Sequence, residues 1–312
     1  MTAGSARGLP RIAVTIGDPA GIGPEIVPAA ARDERVRGAC RPLVVGPETL
    51  RPADCAAEWM DVALDGPVET GRASAAGGAA ALAALRRGHE LALAGEVAAL
   101  VTGPVSKRAL HLAGERVEGQ TELLGRWCGV SEHEMLAVAG RLRVMPLTRH
   151  TSLARALESV TTGRVLAHLH KLAAGLAGLG LARPRLALAG LNPHAGEEGL
   201  FGDEEREVLA PAVARARDEG LDVSGPLPAD TVFVRAARGE FDGVLALYHD
   251  QAFIPVKLLG ADSAVTVLCG LPYLRVSPAH GVAFDIAGRG LARPDNLIEA
   301  LLFAAGVAGR AQ

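Results

Sequence analysis

The chain has 312 residues, 49% apolar and only 3% aromatic, with 38 glycines and a formal net charge of −3. That length suggests two ordinary domains, or one large α/β unit with a lobe added, around a core of Ala, Val, Leu and Ile. The scattered basic residues give no nucleic-acid footprint, no window is apolar enough for a membrane span, and MTAGSARGLPRIAVTIGD meets Asp18 before a signal-like apolar run can form, so a soluble cytoplasmic protein is expected.

In chain order, the strand candidate RIAVTIG leads into the helical PEIVPAAARDERV, then PLVVG, then a long Ala/Leu segment ending in EVAALVTGPVSK. Further strands are predicted at MLAVAG, LRVMPLT, RLALAGL, GVLALY and AVTVLCG. One helix is expected near residues 152–178 and another near 203–219, the latter with an acidic start that suits the helix dipole. Strands followed by helices imply βαβ units and a mainly parallel sheet. The middle third reads as a compact α/β lobe inserted between the N- and C-terminal halves. Cys40, Cys55, Cys128 and Cys269 form no CxxC pair and are read as reduced, with Cys269 in the core.

Three histidines share a setting. His150 follows LRVMPLTR, His194 follows RLALAGLNP and His249 follows GVLALY, each at or just past the carboxyl end of a predicted strand. Ligands of open parallel sheets bind outside that edge. Three imidazoles there can hold a divalent metal and leave positions open for substrate, whereas any one alone is more often a polar strand terminus. His280, in the SPAHG loop, is a fourth candidate ligand or base, or simply a turn histidine.

The turn TIGDPAGIGPEI, residues 15–26, lacks the dinucleotide-binding glycine spacing. It is either a structural βα turn or a place where backbone approaches a ligand. Lys107 in VTGPVSKRA sits near a strand's carboxyl edge, although a lysine on a first helical turn is ordinarily solvated. Thr121 and Glu122 in GQTELLG suit a helix start. LNPHAGEEGLFGDEE surrounds His194 with acids and glycines, as an acidic loop before a helix would. Arg275 in GLPYLR is a fork suited to carboxylate or phosphate.

Taken together, GDPAGIGPE, VTGPVSK, GQTE, RH, LNPHAGE, GPLPADT, YHDQ, GLPYLR and AHGVAFDIAGRG, from Ile12 to about Ala304, resemble the 4-hydroxythreonine-4-phosphate dehydrogenase family of pyridoxal phosphate biosynthesis. The resemblance implies a two-domain α/β/α fold similar to the isocitrate and isopropylmalate dehydrogenases, with residues 1–125 plus 275–312 as one domain and 126–274 as the other. It implies a homodimer with the active site in the cleft and at the dimer interface, and NAD (or NADP) bound without a Rossmann fingerprint. By motif, the metal ligands fall on His150, His194 and His249, the third expected from the partner subunit. The ion is a divalent one such as zinc, magnesium, manganese or cobalt. Substrate-binding positions fall on Gln120, Thr121, Lys257, Thr266 and Arg275.

The implied chemistry is oxidation of a hydroxyl by NAD beside a metal that lowers its pKa, followed by loss of carbon dioxide from the β-keto acid. Lys257 and Arg275 would hold the substrate's anionic end. Asp250 is a candidate to orient a histidine and Lys107 a weaker candidate base. Three positions depart from the family: Gln120 where GHTE is typical, Thr266 where asparagine precedes the GLP turn, and Ala279 where aspartate precedes HG. Gln cannot carry charge and Thr is shorter than Asn. Relatives acting on phosphorylated threonate or erythronate, or on dihydrodiol carboxylates, are therefore alternatives, as is a non-catalytic binding protein on the same scaffold.

Overall fold

The computed structural model describes residues 8–311; residues 1–7, on which the expectation about the N-terminus partly rests, lie outside them. The elements run β1 (Arg11–Thr15), α1 (Gly23–Arg32), α2 (Glu34–Ala39), β2 (Arg41–Val45), β3 (Glu58–Met60), α3 (Ala75–Leu93), β4 (Ala99–Thr102), α4 (Lys107–Leu112) and α5 (Gln120–Cys128). They continue with β5 (Glu134–Ala139), β6 (Leu142–Pro146), α6 (Leu153–Glu158), α7 (Thr162–Gly178), β7 (Leu186–Ala189), α8 (Ala210–Asp218), β8 (Val223–Leu227) and α9 (Ala229–Ala237). Last come β9 (Gly243–Ala246), α10 (His249–Leu259), β10 (Val265–Cys269), β11 (Arg275–Pro278) and α11 (Asp295–Ala311). The chain divides into two compact units, one formed by the residues up to Ser131 and from Leu271 onward, the other by Glu132–Gly270.

In the first unit the strands run in the order β3, β2, β1, β4, β11, and every pairing is parallel. β1 and β4 are nearly continuous apolar runs with Ile12, Ala13, Val14, Leu100 and Val101 fully buried, as strands covered on both faces must be. The turn after β1 is glycine-rich for a steric reason. Gly17 has φ +79°, and a Cβ there would lie 2.3 Å from the Pro104 carbonyl oxygen; one at Gly23 would lie 1.9 Å from that of Ile16. The glycines let main chain meet main chain, which is the structural alternative for this motif.

In the second unit the order is β10, β5, β6, β9, β7, β8. β5 pairs antiparallel with both β10 and β6, while β6, β9, β7 and β8 pair in parallel. The single helix expected over 152–178 is two: Ser159 ends α6, and Thr161 caps α7 through its side chain on Arg164 N–H. Val160, Thr161 and Thr162 put β-branched residues at that joint, followed by Gly163, where helix propensity is weakest. The segment expected as one helix near 203–219 opens as a π-helical turn, Glu205–Leu209, before α8. Pro211 accounts for the change of pitch, because it has no N–H to continue the regular ladder.

All four thiols are free. Cys269 is buried, and its pKa is pushed up to about 12, first by burial and then by the nearby Glu134 charge. Among the described residues no helix is long and apolar enough to cross a membrane.

Candidate active site

The order β6, β9, β7 sets the histidines side by side. All three strands are parallel neighbours, with Pro146 opposite Ala246 and Leu188 opposite Leu245, so their carboxyl ends share one edge. His150 lies just beyond β6, His249 opens α10 after β9, and His194 follows β7. The rings of His150 and His249 stand 6.1 Å apart between centroids. At metal–nitrogen distances of roughly 2.0–2.1 Å, two imidazoles sharing one ion have centroids about 5–6 Å apart. His249 Nδ1 donates to Asp250 Oδ1 at 2.8 Å, the tautomer that leaves Nε2 with its lone pair free.

His194 is held differently. It sits in a turn where five consecutive residues are left-handed: His194, Ala195, Gly196, Glu197 and Glu198 have φ of 54°, 55°, 85°, 41° and 56°. Its ring lies 6.4 Å from that of Phe201. Among the described residues no three His, Cys, Asp or Glu side chains form a group able to hold a metal. Within one chain the rings of His150 and His249 are the pair that approach each other.

The other expected residues of this unit are spread. Thr266 is buried on β10. Asp250 is exposed at the start of α10, and Lys257 is exposed near its end, in no ion pair among the described residues.

In the first unit, Lys107 opens α4 and is exposed, while Thr121 is half-buried on the first turn of α5. Gln120 and Arg275 converge on the end of β4: Gln120 Nε2 donates to Gly103 O (3.0 Å), and an Arg275 terminal nitrogen donates to Thr102 Oγ1 (2.7 Å). Arg275 is only 4% exposed, and burial lowers its pKa to about 10, so it keeps its charge at neutral pH. Its Nε, together with Gln120 Oε1, is buried without a partner.

Sequence reasoning passed over Asp18, which belongs to this place. Its N–H donates to Pro104 O (2.9 Å), its Oδ1 accepts from Ala20 N–H (3.0 Å), and its Oδ2 is buried without a partner. Burial raises its pKa, against the lowering effect of the Ala20 and Ser106 main-chain N–H groups. The only available signal was an acid between two glycines of a tight turn. His280 Nε2 is also buried and unpartnered. Unsatisfied buried polar atoms are rare in folded proteins, and each calls for a partner such as a bound water, an ion or a ligand.

A family model described as pyridoxal phosphate biosynthetic protein PdxA matches residues 31–304. The chain is 40% identical to a D-threonate 4-phosphate dehydrogenase of Cupriavidus necator, covering 97% of this chain and 98% of the relative. It is 42% identical to a 4-hydroxythreonine-4-phosphate dehydrogenase of Maricaulis maris, over 93% and 95% of the two chains. The crystal structure of the Klebsiella pneumoniae 4-hydroxythreonine-4-phosphate dehydrogenase superposes with a TM-score of 0.87 at 38% identity, over 96% and 99%. Fold and relatives together define an oxidoreductase of the dehydrogenase class that acts on a CH–OH group. The chain belongs to the PdxA family.

Proposed function

We propose that this protein oxidises the C3 hydroxyl of a four-carbon, 4-phosphorylated 3-hydroxy acid, with NAD or NADP as hydride acceptor, and that the β-keto acid formed then loses carbon dioxide. The observation that carries this reading is the buried, charged and incompletely bonded Arg275 beside the unpartnered Oε1 of Gln120. A buried guanidinium with an unpaired N–H is costly even with the Glu122 charge acting on it, and an anionic ligand relieves that cost. Gln120 Oε1 offers an acceptor to a substrate hydroxyl, and Thr121 adds a second polar group on the same turn. Lys257 and Thr266 are proposed as further substrate contacts.

His150, His194 and His249 would hold a divalent ion, with a second copy of the chain completing the set. The parallel neighbours β6, β9 and β7, whose carboxyl ends carry the three histidines, support that reading. When bound, such an ion acts as a Lewis acid on the substrate hydroxyl and on the keto oxygen after oxidation. Asp250 keeps His249 in the tautomer that presents Nε2. Asp18 Oδ2 is an acceptor suited to a hydroxyl or carboxamide donor of the nicotinamide cofactor. Exposed Lys107 is the candidate base for the hydroxyl proton.

Within this substrate class we favour D-threonate 4-phosphate over 4-phosphohydroxy-L-threonine. The two differ at C2, hydroxyl against amino group. Relatives of similar identity carry both names, and two of the three departures, Gln120 and Thr266, fall in the proposed substrate shell while the three histidines are intact. The test is NAD(P) reduction with both substrates, with and without zinc, magnesium or manganese. A higher kcat/KM for D-threonate 4-phosphate is expected. Preference for the amino acid would reverse the assignment, and no reduction of NAD or NADP with any metal would leave the non-catalytic alternative.

A further inference from the structure

We propose that three buried polar side chains, Thr148, Gln251 and Glu205, are positioning residues that lock the three histidine-bearing strand ends of the second unit into one frame. The inference rests on the reading that His150, His194 and His249 hold a divalent ion, and the hydrogen bonds of the three framing residues run to main chain and to the Asn192 side chain.

The links are continuous. Thr148 Oγ1, on the segment between β6 and His150, donates to Leu247 O at 2.9 Å, on the segment between β9 and His249. Leu247 N–H donates to Gln251 Oε1 (2.7 Å), and Gln251 Nε2 donates to Gly190 O (2.8 Å), just beyond β7. The next two N–H groups, of Leu191 and Asn192, both donate to Glu205 Oε1 at 2.7 Å, and Asn192 Nδ2 donates to Glu205 Oε2 at 2.9 Å. The three side chains are 3%, 8% and 6% exposed. Water therefore does not replace them readily when they are removed.

The frame ends where it is needed. Each left-handed non-glycine residue costs about 1–2 kcal/mol, so the turn that carries His194 does not hold its shape alone. Glu205 bonds the chain as it enters that turn and also lies beneath it: a Cβ on Gly196 would come within 2.8 Å of Glu205 Oε2. The π-helical turn that starts at Glu205 aims its carboxylate there. In a two-fold dimer every copy supplies identical histidines, so the geometry of each set depends on their placement within a chain, whichever copy contributes which ligand. Hydrogen-bonded partners that orient ligands typically change metal affinity by about 10–100-fold when removed.

The test is zinc affinity of the full-length protein, measured by competition with a chromogenic chelator, alongside hydrogen exchange at the Leu191, Asn192 and Leu247 amides. Glu205→Ala and Gln251→Ala are expected to weaken zinc binding about 10–100-fold and to speed exchange at the amides each has lost. Glu205→Gln, which keeps an acceptor, should stay within about threefold of the parent. Leu176→Ala, packed against Gly243 at the amino end of β9, should lower Tm and leave zinc affinity unchanged. If Glu205→Ala does not fold, the isosteric Gln251→Glu keeps the acceptor for the Leu247 amide and loses the donor to Gly190 O, so it is expected to weaken zinc binding to the same extent with Leu247 exchange unchanged. Faster exchange with unchanged zinc affinity would make the frame merely structural and overturn the proposal. Unchanged exchange in the alanine variants would deny the frame itself. Failure of the parent protein to bind zinc, manganese or magnesium would instead sink the metal-site reading, and the positioning role with it, while exchange still reports whether the frame exists.

Discussion

Arg275 is buried near the end of β4 with its Nε unbonded, and Asp18 carries the opposite charge into the same neighbourhood with one oxygen unbonded. Such residues cost stability in the free protein and return it when a ligand binds. Arg275→Ala should therefore lower kcat/KM for the phosphorylated substrate by roughly 30- to 5,000-fold, the equivalent of about 2–5 kcal/mol for truncating a buried charged partner. Arg275→Lys should recover only part of this, because an ammonium cannot reproduce the guanidinium fork that reaches Thr102. Steady-state kinetics at fixed cofactor decides it, and an unimpaired Arg275→Ala enzyme would remove the anion role. Asp18→Asn should behave differently. Removing a carboxyl whose pKa burial has raised should increase Tm at neutral pH, while KM for NAD rises severalfold if Oδ2 serves the cofactor. A lower Tm would mean that the carboxylate is structurally required. The sequence marks Arg275 as a fork suited to an anion but not its burial, and Asp18 reads there only as punctuation.

At the level of elements, apolar periodicity was the legible part. The strands ending in His150, His194 and His249 announce themselves as short β-branched or Leu-rich runs, which is why their carboxyl ends could be picked out as a candidate edge before any coordinates. What joins those ends was not legible. Glu205 lies in a stretch that reads as the acidic start of a helix and Gln251 just past a strand end, and nothing local says that their side chains turn inward to main chain from another element. The left-handed turn at His194 was equally hidden, since only one of its five residues is glycine. Gly17 is the converse, a glycine whose need is plain once β1 and β4 are adjacent. Gly17→Ala combines a left-handed strain of about 1–2 kcal/mol with an overlap costing about 1–3 kcal/mol, so denaturant unfolding should show a loss of about 2–5 kcal/mol. Gly95→Ala, also left-handed (φ +71°) but with open space around it, should lose only the strain, and equal losses at the two sites would refute the steric account.

For the whole molecule, alternation of strand and helix implied parallel α/β construction, and the two units are built that way except where β5 pairs antiparallel with β6 and β10. The exception was hard to see because strands buried on both faces look alike whichever way they run. The first unit has a partly exposed acid held low, Asp33 beside Arg35, but the more deeply buried acids of the two units differ. In the second, burial tends to raise the pKa of Glu134, but His168 and Lys171, at 3.2 Å each, outweigh it and hold the carboxyl below the usual 4.5. Asp242 is likewise held below 3.8, chiefly by Arg185. In the first unit the buried acid, Asp18, is shifted upward. A carboxyl with a depressed folded pKa binds its proton more tightly when unfolded. Its stabilisation is present above the unfolded value and is lost as pH falls through the folded one. For Asp18 the sign is opposite, and protonation relieves the cost of burying its charge. As pH falls below about 4.5, amide exchange should therefore speed up first in Glu132–Gly270, while the amides around β1 and β4 stay protected to lower pH. Glu134→Gln should weaken the response of the second unit, because the Glu134 share of the linkage is removed while that of Asp242 remains. Simultaneous loss of protection in both units, or an unchanged acid response in Glu134→Gln, would show that global charge repulsion rather than these paired carboxylates governs the acid limb.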